Sequence, residues 1–306
     1  LAQRAAYDSQ AEGYIYLVVD APAAFYGRFG PSGTWFNVAT NAFIYVDPVL
    51  GDDVNGTGDL DLPVKTINAA VAILAVADDM TGMTINLVLQ PGTYNQQVTL
   101  QDIKGAPTEV RIIAWQSLAG TTSRLSYTIS SAVGDTIRSI GTKTVWTLSG
   151  FSVGSTKGHA IMAKNSRLRF TQLRFIATSG SHISAMGGGT IILAGPDYSI
   201  AGNANAHLSA NGSGAVIDLQ AEAPSRPIVN IPGSPTPAFA TAFAWARASG
   251  QIFTGTGLQF TGIDKKTVGG RRWRAEQNSS IDSGQSGEKY LPGASAGIAV
   301  KSGEYL

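Results

Sequence analysis

HAIMAKNSRLRF, residues 159–170, decides the fold, because it comes back. It returns as HISAMGGGTIIL at 182–193 and as HLSANGSGAVID at 207–218. A fainter copy precedes them at 137 (IRSIGTKTVWTL), and another follows at 243 (FAWARASGQIFT). The starts lie 22, 23 and 25 residues apart, then 36 across a Pro-rich insertion at 221–240. Short apolar segments trail the blocks: GFSV at 150, LRFI at 173, YSIA at 198 and LQFT at 258, with IVNI at 228 inside the insertion. A fixed period of this length marks a stacked array. Apolar residues alternate with period two, as in half-buried strands. In SRLRFTQLRF the alternation sends Leu168, Phe170, Leu173 and Phe175 inward and Arg167, Arg169 and Arg174 outward. Gly, Asn, Ser and Pro punctuate the runs. Two or three short strands per coil, stacked coil on coil, make an all-β parallel β-helix.

Composition agrees. With 306 residues, 36 glycines and only 14% charged residues, the chain suits a turn-rich β protein. It has no cysteine, which excludes a disulfide framework and a thiolate metal site. No apolar run approaches the ~18 residues of a membrane span, and the first residues do not read as a signal peptide. A soluble protein is expected, with no membrane insertion, released by lysis or as part of a particle. Charge is uneven: residues 1–133 hold 6 Lys/Arg against 12 Asp/Glu, residues 134–260 hold 9 against 4, and the tail 7 against 5. The basic repeat favours an anionic partner. Nucleic acid is a poor candidate, for no aromatic-basic interleaving or known binding module appears.

Ahead of the repeats, residues 1–13 read as a short helix. Three β runs follow (YIYLVVD at 14, AFYGRFG at 24, TWFNVAT at 34), too small an element to be secure alone. This stretch resembles a short module near the N-terminus of bacteriophage tail proteins, between the virion-attachment part and the distal part. The next run, YVDP…GDD.NGTG…PVKTINAAV, opens on an apolar strand and leads to a helix from about Val64, with Ile67, Ala70, Val71 and Leu74 at helical spacing. Such a helix can lid the open end of a solenoid. The run resembles the entry to the pectin-lyase-like right-handed parallel β-helix family, found in polysaccharide-degrading enzymes and phage tail spikes. INLVLQPGTYNQQVTL (85–100) reads as the first coil. The end, with Arg271, Arg272, Trp273 and then Tyr290 to Gly293, resembles the closing stretch of many phage tail proteins. The expected division is a virion-side connector (1–42), a capped β-helix (43–260) and a closing segment (261–306).

Together these likenesses imply a homotrimeric tail spike or fibre, on the virion and extracellular during infection. It would contact other tail proteins through residues 1–42 and recognise a host-surface glycan. Alternatives are a depolymerase of that glycan and a purely structural fibre. No cofactor is expected.

Glycoside hydrolysis needs two carboxylates about 5–10 Å apart. Residues 134–260 offer Asp135, Asp197, Asp218 and Glu222, of which Asp218 and Glu222 are the nearest pair in sequence, with Asp197 a weaker candidate. Solvated turn carboxylates are the plainer reading. Asp52, Asp53, Asn55, Asp59 and Asp61 have hard-oxygen chemistry suited to calcium, yet their spacing departs from known loops and turn formation explains them. His159, His182 and His207 occupy one repeat position and, on the parity that buries Ile183 and Leu208, face outward as a ladder. A linear ladder does not converge on a metal; a glycan contact is the functional reading for His182 and His207. Arg167, Arg169, Arg174 and Lys164 form a basic patch that can bind sugar carboxylates or phosphates by bidentate guanidinium. Trp115, Trp146, Trp245, Tyr198 and Trp273 are the aromatic platforms, with Trp146 read as core and Trp245 as the exposed one. Arg226 joins them, because insertions on solenoids build binding faces.

Overall fold

The computed structural model describes residues 15–18, 24–28, 35–37, 41–77, 80–105, 107–118, 124–220, 222 and 226–306. The helix expected over residues 1–13 lies outside them. The strands Ile15–Val18, Ala24–Arg28 and Trp35–Asn37 form a three-stranded antiparallel sheet where three β runs were read.

From residue 41 onward the chain is a right-handed parallel β-helix with three faces. The first face stacks ten strands, from Asn41–Val46 through Trp146–Ser149, Arg167–Thr171, Thr190–Leu193 and Val216–Asp218 to Glu304–Tyr305. The second holds seven, including Ser152–Ser155, Arg174–Thr178, Asp197–Ile200 and Ile228–Asn230. The third holds nine, including Ile137–Ile140, Ile161–Lys164, Ile183–Met186, Ala204–Asn211 and Ala238–Arg247. The complete coils in the middle of the stack visit the faces in that order. IVNI inside the insertion is indeed a coil strand, pairing with Asp197–Ser199 before it and Gln259–Thr261 after it. The parallel ladders also run on past residue 260, through Trp273–Glu276, Ser280–Asp282, Ile298–Val300 and Glu304–Tyr305.

The ladders explain the sequence pattern. On the first face Trp146, Leu168, Ile191, Ile217, Ile252 and Ile281 lie one above another, all buried. Full burial of such side chains contributes about 1.5–3 kcal/mol each, and β-branched residues fit the pleated surface. Turns between faces demand unusual backbone: Gly150 (φ +86°) and Gln172 (φ +51°), at equivalent positions of successive coils, both sit in the left-handed region.

Helix α1 (Ile67–Val76) covers the start of the solenoid, burying Ile67, Ala70, Val71 and Leu74 as the spacing predicts. The Thr66 hydroxyl caps it, accepting from the Ala69 N–H at 3.1 Å.

The repeat register differs from the sequence alignment. Ile137 pairs with Ile161, Ile161 with Ile183, Ile183 with Leu208, and Leu208 with Ala244. His182 and His207 therefore share a coil position with Ala160, and His159 falls one residue earlier. The expected outward ladder is also corrected, since His182 and His207 are wholly buried. Strict alternation fails here because the chain is turning the corner from the second face to the third. At that bend successive residues both meet the lumen: His182 with Ile183, His207 with Leu208, Phe243 with Ala244, all at 0% exposure.

Candidate functional site

The outer side of the first face carries the densest charge chemistry. Arg167 and Arg169 alternate with the buried Leu168 and Phe170, so both guanidinium groups project from one strand. Glu222, in the segment between strands Val216–Asp218 and Ile228–Asn230, bridges them. Its Oε1 lies 2.7 Å from Arg167 Nη2 and its Oε2 2.6 Å from Arg169 Nη2. Arg169 Nη1 faces a second carboxylate, Glu109, at 3.7 Å. Glu109 also pairs with Arg111 at 2.6 Å and accepts from the Thr147 hydroxyl. Three guanidinium groups thus share two carboxylates, leaving the cluster net cationic.

This arrangement revises the sequence reading in two ways. The expected basic patch divides between faces, for the turn at Gln172 puts Arg174 on the second face, while Lys164 ends a strand of the third. Burial lowers the Arg174 pKa from its usual value. In addition Glu222 partners Arg167 and Arg169, not Asp218. Glu109, Arg111 and Thr147 were missed. Their signal lay in aligning VRIIA (110–114) with WTLS and LRFT, which puts Arg111, Thr147 and Arg169 in one outward row.

The remaining carboxylate candidates are engaged as well. Asp197 pairs with Arg124, and Asp218 Oδ1 accepts from the Gln220 N–H at 2.8 Å. In the acidic loop Asp52 Oδ1 accepts from the Val54 and Asn55 N–H groups, and its Oδ2 from the Asn55 side-chain amide. Those hydrogen bonds, the Asn55 amide foremost, hold Asp52 below the ordinary carboxylate range. Asp53 Oδ1 accepts from the Lys65 and Thr66 N–H groups, and Asp59 Oδ2 from the Thr57 hydroxyl. Among the described residues no group of three or more His, Asp or Glu is placed to hold a metal ion.

On the third face Trp245 is half-buried and not the open platform the parity suggests. Its Nε1–H donates to Glu276 at 2.9 Å, and the Arg247 guanidinium lies 4.3 Å from the ring centroid. Arg274 holds the other side of Glu276, at 2.9 Å. Arg226 is exposed. Tyr198 and Trp273 belong to the core along with Trp146. Where the second face turns into the third, Thr178, Ser179, Asn203, Asn205 and Phe239 line a shallow cleft of about 390 Å³.

The buried imidazoles form a chain whose proton positions follow from its ends. His182 Nε2 lies 3.1 Å from the Ile176 carbonyl, which can only accept, so this nitrogen carries the hydrogen. The neutral ring then has a bare Nδ1, which accepts from His207 Nδ1–H at 3.1 Å. His207 Nε2 is bare in turn and accepts from the Tyr198 hydroxyl at 3.0 Å. One tautomeric solution satisfies every polar atom, inside an aromatic cluster of Phe175, Phe239 and Phe243. Burial pushes the His182 pKa down to about 3 and His207 well below its usual value. His159, at the same corner but off the ladder, accepts the Ser181 N–H on Nδ1 at 2.9 Å, and burial lowers its pKa too. His182 and His207 build the core and do not reach a surface ligand, whereas His159 stays partly exposed.

No protein-family model matches the chain, and no curated protein or solved structure matches it.

Proposed function

We propose that this chain is the recognition body of a bacteriophage tail spike or fibre and binds a host-surface polysaccharide without cleaving it. The observation that carries the reading is the outward guanidinium row of the first face. Arg111, Arg167 and Arg169 stand on stacked strands of a rigid solenoid, at spacings fixed by the backbone ladder. A polymer needs an extended, preorganised surface, and a solenoid face supplies one. The N-terminal antiparallel element and the sequence likenesses at both ends support a virion appendage, assembled as a homotrimer.

Binding is favoured over cleavage because the candidate carboxylates are held by cations, a hydroxyl or backbone N–H groups. A glycosidase needs one carboxyl free to deliver a proton and another poised on the opposite side of the sugar.

The test uses a panel of purified bacterial capsular and O-antigen polysaccharides. Binding of at least one by the full chain, with no release of reducing ends or unsaturated sugars, is the expected result. Cleavage of the bound polymer, with loss of turnover in Asp218→Asn or Glu222→Gln, would establish the depolymerase reading instead.

A further inference from the structure

We infer that the Arg167–Arg169 pair is a binding site for sugar carboxylates which the chain's own Glu222 occupies, so that an acidic polysaccharide binds by displacing it. This deepens the reading that the first face recognises a polysaccharide, and rests on it.

Glu222 stands where a ligand's carboxylate would stand. Its two oxygens are divided between two guanidinium groups two residues apart on one strand, at 2.7 and 2.6 Å. Carboxylate bridged by paired arginines is the mode in which proteins recognise acidic sugars and other carboxylate ligands. The contact is not part of the coil architecture. Glu222 belongs to the excursion after the Val216–Asp218 strand, and its side chain meets a strand two places away, with Thr190–Leu193 between them. To pair with Arg167 and Arg169, the Glu222 carboxylate has to lie beyond the outer side of that intervening strand. Ile192, the outward residue there, is only 4% exposed.

The fit of Glu222 is incomplete, and this makes displacement possible. Arg169 is engaged end-on, one Nη by Glu222 and the other by Glu109, and its buried Nε–H has no hydrogen-bond partner. A free carboxylate arriving in place of Glu222 can turn side-on and take Nε and Nη2 together, the stronger bidentate arrangement. Arg167 is half exposed, so a ligand can engage one guanidinium before Glu222 has left. Partly exposed ion pairs of this kind are weaker than fully buried ones, being screened by solvent. The internal carboxylate therefore sets a threshold that a repeating acidic polymer passes and an isolated anion does not.

The experiment compares wild type, Glu222→Gln, Glu222→Ala and the double variant Arg167→Ala/Arg169→Ala for binding of oligogalacturonate, with a neutral glucan oligomer as control. Glu222→Gln and Glu222→Ala are expected to bind oligogalacturonate about tenfold more tightly than wild type, a change of about 1.4 kcal/mol. The double variant loses binding, and the neutral oligomer is unaffected throughout. Glu222→Asp keeps the charge but draws the carboxylate back by one methylene. It should tighten binding to a smaller extent, and keeps the test open if the uncharged variants fold poorly. Affinity within twofold of wild type in all three Glu222 variants, or equal tightening for the neutral glucan, overturns the proposal and leaves Glu222 a clasp for the excursion. If wild type binds polysaccharides of the wider panel while these variants show no change, only the displacement idea fails. If no polysaccharide, acidic or neutral, binds any variant, the underlying recognition reading fails with it.

Discussion

Mild acid should destabilise this protein through its buried imidazoles before its carboxylates titrate. In the folded chain His182 carries its only hydrogen on Nε2 and receives one from His207 on Nδ1. A second proton on His182 would set two N–H groups against each other. The folded pKa of His182 is accordingly about 3, with burial the largest cause, against about 6.5 for an exposed histidine. A base whose pKa is depressed by folding stabilises the native state fully above the unfolded pKa. That stability is lost as pH falls from about 6.5, where the unfolded chain begins to take up the proton, and the loss levels off near the folded pKa. For His182 the linkage amounts to about 2 kcal/mol by pH 5. His207 and His159, both lowered by burial, act in the same direction. Exposed carboxylates titrate near pH 4, so the interval between pH 6.5 and 5 reports the histidines. Urea unfolding at pH 8, 7, 6 and 5 should show stability falling steadily below pH 7. In His182→Phe/His207→Phe the slope should shrink to the His159 contribution, whatever the absolute stability of that variant. A midpoint independent of pH in wild type, or an unchanged slope in the double variant, would refute the assignment of a neutral buried pair.

Phe170→Ala should cost about 3–5 kcal/mol, because the ring is fully buried and meets Phe175 and Tyr198 edge-on at 5.9 and 5.5 Å; a thermal melt shifted by less than a degree or so would mean the lumen is not packed as described. Asp53→Ala should cost roughly 0.5–2 kcal/mol, the usual loss on removing a capping carboxylate, because its Oδ1 receives the two N–H groups just ahead of α1. Added calcium or a chelator should leave the wild-type melting midpoint unchanged, and a calcium-dependent rise would show that the acidic loop binds metal after all.

The solenoid was legible because stacking imposes one environment on equivalent residues of successive coils. Leu168, Ile191 and Ile217 had to be apolar, and the turns between them had to be small or polar. The helix over Ile67, Ala70, Val71 and Leu74 was legible for the same reason, with a period of 3.6 in place of two. Alternation stops informing where the backbone bends. His182 and His207 sit at such a corner, so parity assigned them to solvent while the chain turned them into the lumen. The charged site was hidden for a different reason. Arg167 and Arg169 could be placed on a strand, but their partners Glu222 and Glu109 come from the segment after Val216–Asp218 and from a strand two places away along the stack, and no spacing in the sequence joins them. Trp245 was placed correctly on the outer side of its sheet. Nothing local to it announced that Arg247 and Glu276 would cover it.

On the proposed function, polysaccharide binds along the outer side of the first face. Oxidative footprinting of the full chain, with and without the acidic polysaccharide that binds best in the panel, tests it directly. Protection is predicted at the partly exposed guanidinium residues Arg111, Arg167 and Arg169, and it should disappear in Arg167→Ala/Arg169→Ala. Protection confined to the Trp245 side of the third face or to the cleft at Asn203 and Asn205, with the first face unchanged, would contradict it.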